Sequence, residues 1–410
     1  MPAKSTSKSK RAAPAKAKRP VQKSRVVTSK KKSRLSALLA SKVGMLIAAI
    51  IIGGAGVYLL KLSNAQTPLP PDNPGRGLYY SKMHSSPNIH GPCGDDFLDV
   101  THGQSAVHSQ ACIHQDPGPV GVDVRARAQQ IDAQLAAQVQ YDKQHPDNPN
   151  VEPSNAGSDQ VIANDLYAGT LSNVSGNHWP CVDTTTGYRI KLLYVYKAGN
   201  SDRIGGLRDN FESIARRVNA VMYDSSQQNG GQGRQYKFIH NADCTHLLIS
   251  DVAVSGDMGD YSNIVNQLRA KGYNNGYIKY MAWVDSDTGC GQGSVYSDTR
   301  PTQDNPNNSG NSFALVWRGC WNYAEPHELM HTLGAVEPSA PYGTAGYHCY
   351  DQHDVMCYND GTHSMTLRCT STASYSRYDC GKDTYFNAAT PSGWLATHWN
   401  TANSRFLTHY

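Results

Sequence analysis

The sequence predicts an exported α+β domain held behind a single membrane-spanning segment. Three observations predict it. Residues 43–60, VGMLIAAIIIGGAGVYLL, form an apolar run between Lys42 and Lys61. From residue 189 onward, runs rich in β-branched and aromatic residues alternate with stretches of helical period. Late in the chain, HELMH (327–331) places two histidines four residues apart with a glutamate beside the first.

The first 34 of the 410 residues contain thirteen Lys and Arg and no acid, and cannot build a core. We read 1–34 as a disordered basic cytoplasmic tail and 35–62 as a signal anchor. The apolar run of eighteen residues is near the lower limit for a spanning helix. The basic N-terminal flank keeps that side in the cytoplasm, so the remainder faces outward. A signal peptide cleaved after Ser63-Asn64-Ala65 is the alternative, giving a secreted protein; the run is longer than a usual signal core. Residues 66–410 are exported either way. The formal charge of +5 belongs to the tail. Fifteen of the 38 basic residues lie in 1–65, which leaves 23 against 33 acids, a net −10, in the exported part. That balance excludes nucleic acid as a partner. All ten cysteines follow the apolar run, and an even count in an exported chain reads as disulfides. Pairing neighbours in sequence is the simplest connectivity; Cys349–Cys357 and Cys369–Cys380 would close short loops.

Residues 63–90 read as a stalk and 91–184 as an N-terminal subdomain or propeptide, with a helix over 122–143. Gly91-Pro92-Cys93-Gly94-Asp95 faintly resembles the cysteine-switch segment of matrix metalloproteases, but a Cys93–Cys112 disulfide is the simpler reading. A catalytic domain follows over 185–365. Its expected strands are 189–196, 234–240, 246–254, 277–284, 293–297 and 312–317. Its helices are an amphipathic one bearing Phe211, Ile214, Val218, Val221 and Met222, a short one at 261–272, and the motif helix from about Ala324. Residues 366–410 read as a cap stapled by Cys369–Cys380.

On a helix His327 and His331 share one face, one turn apart. Neutral imidazoles ligate zinc at about 2.0–2.1 Å. Glu328 beside them can take a proton from activated water and pass it on. Gly334 can end the helix in a left-handed turn that leads the chain back toward the metal.

With HELMHTLG (327–334) followed by DVMCY (354–358), the chain resembles the metzincin clan of zinc peptidases, over about residues 187–360. It also looks like a poorly characterised group of secreted bacterial metzincin-like proteins, through HCYDQHDVMCY (348–358) and the Cys- and Trp-containing C-terminal stretch. The resemblance implies a twisted, mostly five-stranded mixed sheet with an active-site helix. It implies a Met-turn at Met356 and an oxyanion-stabilising role for Tyr358. It also makes GSVYS (293–297) the edge strand on which an extended peptide adds. The clan's third ligand is His or Asp six residues after the second histidine, where this chain has Glu337. We place His348 in that position, because a Cys349–Cys357 disulfide would tie it beside Met356. Glu337 is the alternative, with Asp351 and His353 behind it.

The Asp- and Asn-rich loop 285–311 makes Ca²⁺ a weak second expectation. The reading is therefore a membrane-anchored, monomeric zinc endopeptidase acting on peptide or protein substrates. The rivals are a surface binding protein on a degenerate zincin fold and a zinc amidase of cell-wall peptides.

Overall fold

A computed structural model describes residues 70–83, 97–98, 111–144, 181, 186–360, 363–369 and 376–409. The expected anchor at 43–60, the segment 91–95 and the loop 145–158 lie outside the described residues. Among the described residues, no helix is long and apolar enough to cross a membrane.

The architecture is mixed α/β, built on a seven-stranded mixed sheet of order β1-β2-β6-β7-β5-β3-β4. Its strands are β1 (Phe97–Leu98), β2 (Ala111–Ile113), β3 (Arg189–Lys197), β4 (Ile249–Val254), β5 (Ile278–Val284), β6 (Gly291–Tyr296) and β7 (Phe313–Trp317). β4, β3, β5 and β7 run parallel. β6 is antiparallel to β7, β2 to β6 and β1 to β2. The expectation of five strands is therefore short by two. β1 and β2 come from the N-terminal region and extend the sheet beyond β6, which had been expected to be its edge. The strand expected at 234–240 is reduced to isolated bridges, Tyr236 to Leu407, Phe238 to Ile190 and His240 to Leu247. A small pair, β8 (Asp351–Gln352) and β9 (Thr366–Leu367), lies apart from the main sheet.

Parallel neighbours need crossovers, and two helices supply them. α2 (Ile204–Gln227) links β3 to β4, and α3 (Tyr261–Ala270) links β4 to β5. α1 (Val124–Gln144) precedes β3, and α4 (Glu325–Thr332) follows β7. The strands are buried on both sides, which explains their nearly continuous apolar runs. Ile190, Leu192 and Tyr194 of β3, Met281 and Trp283 of β5, and Ala314 and Val316 of β7 share one core with α2 and α4. Leu193, Val195, Tyr280, Ala282, Val284, Phe313, Leu315 and Trp317 form the other with α3. Phe211, Ile214, Val218, Val221 and Met222 of α2 are all buried, as their spacing requires. The Asp260 side chain caps α3 by accepting from the amides of Ser262 and Asn263.

Four disulfides join sequence neighbours, Cys181–Cys244, Cys290–Cys320, Cys349–Cys357 and Cys369–Cys380, following the simplest connectivity. Cys112 is also disulfide-bonded. The expected partner, Cys93, lies outside the described residues.

Phe211 stacks on Trp283 with ring centroids 4.2 Å apart and meets Trp321 edge-on at 5.0 Å, which ties α2 to the sheet beneath α4. Phe211→Ala should therefore cost about 3–5 kcal/mol. Denaturant unfolding followed by tryptophan fluorescence checks this; a loss below about 1 kcal/mol would mean the site collapses around the void.

Candidate metal centre

α4 is only eight residues long, too short to stand by itself, and neighbours hold both of its ends. At the N-terminus the buried Glu325 accepts from the Asn322 amide (2.8 Å) and from Trp283 Nε1 (2.9 Å). Tyr378 donates its hydroxyl proton to the Pro326 carbonyl at 3.0 Å. At the C-terminus the buried Lys279 donates to the Thr332 carbonyl and Trp399 Nε1 donates to the Leu333 carbonyl, at 2.5 and 2.7 Å. The carbonyls that a helix leaves unpaired at its end are thus answered by side chains. Gly334 follows with φ +99°, and a Cβ there would lie 2.7 Å from Asn307 Cγ, so the turn requires glycine.

His327 and His331 project from this helix into a fully buried cluster with His348, His114 and Asp116, whose ligand atoms all lie within 4.8 Å of one another. The hydrogen bonds of the two helix histidines fix their tautomers. His327 Nδ1 contacts the Val355 carbonyl at 2.7 Å and His331 Nδ1 the Ala335 carbonyl at 2.5 Å. A carbonyl only accepts, so each Nδ1 carries the hydrogen and each Nε2 presents a lone pair. Those two Nε2 atoms face each other at 2.8 Å. Two acceptors at that distance repel unless a proton or a metal ion lies between them.

The Asp116 carboxylate completes the cluster. Its oxygens lie 2.9 Å from His348 Nε2, 3.1 Å from His327 Nε2 and 3.3 Å from His114 Nε2. Despite these short contacts, neither Asp116 oxygen, neither nitrogen of His114 or His348 and neither oxygen of Glu328 makes a hydrogen bond of acceptable geometry. Buried polar atoms are almost always satisfied, and this many orphans at one point fits donors arranged around an ion. The donor set of imidazoles and one carboxylate suits zinc and other first-row divalent metals.

Burial favours the neutral form of two of the three imidazoles. Burial pushes His348 down to about 4 and holds His331 well below the usual histidine range. For His327 the burial effect is outweighed by the Asp116 carboxylate, and its value is raised. Asp116 is itself held well below the usual carboxylate range; burial opposes this, but His327 and His114 prevail. Glu328 is pushed well above it, first by burial and then by Asp116.

Glu328 packs against β6. A Cβ on Gly291 would lie 1.9 Å from Glu328 Oε1, and one on Gly293 would lie 2.8 Å from the Glu328 carbonyl oxygen. Two glycines alternate along β6 so that α4 can approach this closely.

Of the expected site residues, the structure brings together His327, Glu328, His331 and His348. Glu337 is elsewhere. It is buried, and its Oε1 accepts from the Asp298 amide at 3.2 Å. Asp351 and His353 are outside the cluster too; Asp351 Oδ1 accepts from the Arg368 amide. Met356 is fully buried, and its carbonyl accepts from the Cys349 amide across the Cys349–Cys357 disulfide. The segment around it therefore supports two histidines of the cluster, through Val355 on His327 and Cys349 next to His348. The Tyr358 ring lies 4.2 Å from that of His348 and 6.2 Å from that of His327. In the loop considered for Ca²⁺, Asp298 forms a two-pronged ion pair with Arg300, and the Asn305 amide donates to the Asp298 and Arg300 carbonyls. Among the described residues, no carboxylate cluster forms there.

His114 and Asp116 were missed. Their signal is a His-x-Asp spacing, which on an extended chain directs both side chains to the same side. Comparison with known proteins finds no matching family model and no matching curated protein.

Burial raises Glu337 to about 8, partly opposed by the Asp298 amide. Between the ordinary glutamate value and about 8, the folded state keeps a proton that the unfolded chain has released. Stability is therefore lost as pH rises through that window. Glu337→Gln removes the effect. The melting temperature of the variant relative to wild type should climb between about pH 5 and pH 8.5. A constant difference would show that Glu337 ionises normally.

Proposed function

We propose that this chain is a zinc-dependent endopeptidase acting on extracellular or cell-surface proteins. One observation carries the reading. The lone pairs of His327 and His331 converge beside His348, with the Glu328 carboxylate buried next to them. Zinc bound there would polarise a scissile carbonyl and acidify a water molecule. His327, His331 and His348 would hold it, oriented by the carbonyls and the disulfide-tied loop behind them. Glu328 would take the proton of the attacking water and return it to the leaving amine. Its raised value suits a group that must hold a proton between those two steps. Tyr358, whose ring lies 4.2 Å from that of His348, would donate to the oxyanion. The resemblance of HELMHTLG and DVMCY to the metzincin clan supports the same chemistry. The four disulfides support an exported location, with 43–60 as the anchor.

A second reading has an observation of its own. Catalytic zinc keeps an open position, whereas His114 and Asp116 bring this donor set to five. A permanently closed site would make the chain a binding protein with a structural metal.

Metal analysis of the full chain should find about one zinc per molecule, as one four- to five-donor site requires. His327→Ala and His348→Ala should lose it, and Glu337→Ala should retain it. Glu328→Ala should keep the metal and lower casein cleavage by about 10²–10⁴-fold. Zinc bound without any cleavage, even with Asp116 replaced by Ala, favours the closed site. A chain that binds no zinc overturns both readings.

A second expectation concerns β6. Gly291→Ala should keep the zinc but displace Glu328, lowering cleavage by at least about tenfold and stability by about 1–3 kcal/mol. Unchanged kinetics would mean that Glu328 has room to move without consequence.

A further inference from the structure

We propose that the chain carries a second binding site, for an acidic saccharide, in an open cavity walled by Tyr188, Lys237, Gln303, Asn403, Arg405 and His409. None of these residues belongs to the metal cluster, and the site stands without the peptidase reading.

Four separate parts of the chain build the cavity. Tyr188 precedes β3, Lys237 lies in 234–240, Gln303 follows β6, and the other three come from the C-terminal stretch. That stretch is fastened in place. The Lys237 amide donates to the Phe406 carbonyl at 3.0 Å, the Thr408 amide to the Gln235 carbonyl at 2.9 Å, and the Arg405 amide to Asn308 Oδ1 at 2.8 Å. The cavity measures about 590 Å³. Small-molecule sites span about 300–1,000 Å³.

Its charge is one-sided. Lys237 Nζ donates to the Arg405 carbonyl at 2.8 Å. Arg405 Nε donates to Gln303 Oε1 at 3.0 Å, and its Nη1 to the Tyr188 hydroxyl at 2.6 Å. Among the described residues, no carboxylate lines the cavity. Two of the three Lys237 ammonium hydrogens and Arg405 Nη2 are therefore left for a ligand. His409, whose Nε2 lies 3.0 Å from the Ser404 carbonyl, adds a third charge when protonated. Behind them the buried Arg234 is bonded to the carbonyls of Gln232, Gly233 and Ala402. Residues 66–410 hold ten more acids than bases, yet here cations gather and only carbonyls, an amide and a phenol answer them. Burial lowers Lys237, and burial with Arg234 and Lys237 lowers His409. A bound anion would relieve that repulsion through charge-assisted hydrogen bonds.

The remaining walls select among anions. The Arg405 guanidinium lies 4.9 Å from the centre of the Tyr188 ring, which meets Phe406 edge-on at 5.3 Å. Tyr277 meets Tyr188 edge-on at 5.2 Å and is 55% exposed, extending the aromatic surface beyond the cavity. The Asn403 side-chain amide has no partner among the described residues and faces the same space. An inorganic anion would use the cations alone. An acidic sugar would also lay its C–H face on a ring and pair its hydroxyls with the amide. A nucleotide shares the anion and the ring, but the disulfides that support export favour a glycan.

The test is isothermal titration calorimetry of the full chain with five probes: trigalacturonate, a heparin tetrasaccharide, maltotriose, sodium sulfate and AMP. At least one of the two acidic oligosaccharides should bind, and the better of them shows whether the charge recognised is a carboxylate or a sulfate. Maltotriose and sulfate should bind at least about tenfold more weakly, since each lacks one part of the recognition. Lys237→Gln and Arg405→Gln should each weaken the acidic oligosaccharide by at least about tenfold. Tyr277→Ala, a change at an exposed ring, should weaken it by about threefold or more with the melting temperature unchanged. If Arg405→Gln does not fold, Lys237→Gln and Tyr277→Ala carry the test. Wild type that binds neither acidic oligosaccharide would overturn the proposal. So would affinity unchanged in the folded variants, sulfate binding as tightly as the oligosaccharides, or AMP binding more tightly than both.

Discussion

The carbonyls of Val355 and Ala335 decide which nitrogen of His327 and of His331 carries its hydrogen, and so turn two lone pairs toward each other at 2.8 Å. Without a proton or a metal ion between them, that arrangement is repulsive. The surroundings are correspondingly firm. Glu325, buried and bonded to Trp283, holds the first turn, while Lys279 and Trp399 hold the last carbonyls. Lys279 itself is completely buried, and burial holds its value well below the usual lysine range. A buried lysine at a helix C-terminus, facing the negative end of the helix dipole, is a costly placement accepted for position.

The close approach of α4 to β6 follows from the same need. Gly291 and Gly293 have no side chains to separate the strand from the helix, and the Glu328 carboxylate lies in the space that a Cβ would take. The strand therefore contributes to the site by what it omits. Its other side offers backbone to β2, so one six-residue strand both seats the glutamate and receives the N-terminal segment.

The parts legible in the sequence were those written in local pattern. The strands 189–197, 278–284 and 313–317 are continuous apolar runs because both faces are buried, and α2 shows its buried stripe directly. His327, Glu328 and His331 were legible because helical spacing alone places them together. His348 was reachable because a short disulfide loop limits where it can go. Residues 234–240 have the composition of a strand, yet they meet Ile190, Leu407 and Leu247 one residue at a time, which no local pattern reveals. His114 and Asp116 were hidden for a related reason. They lie more than two hundred residues before α4, and the pairing of β2 with β6 brings them to the histidine cluster.

That long-range pairing also sets the charge of the site. Two carboxylates, Asp116 and Glu328, are buried within reach of the same set of imidazoles, and like charges this close cannot both be favourable without a cation. Asp116, surrounded by His327, His114 and His348, keeps its charge, and Glu328 is left to hold the proton.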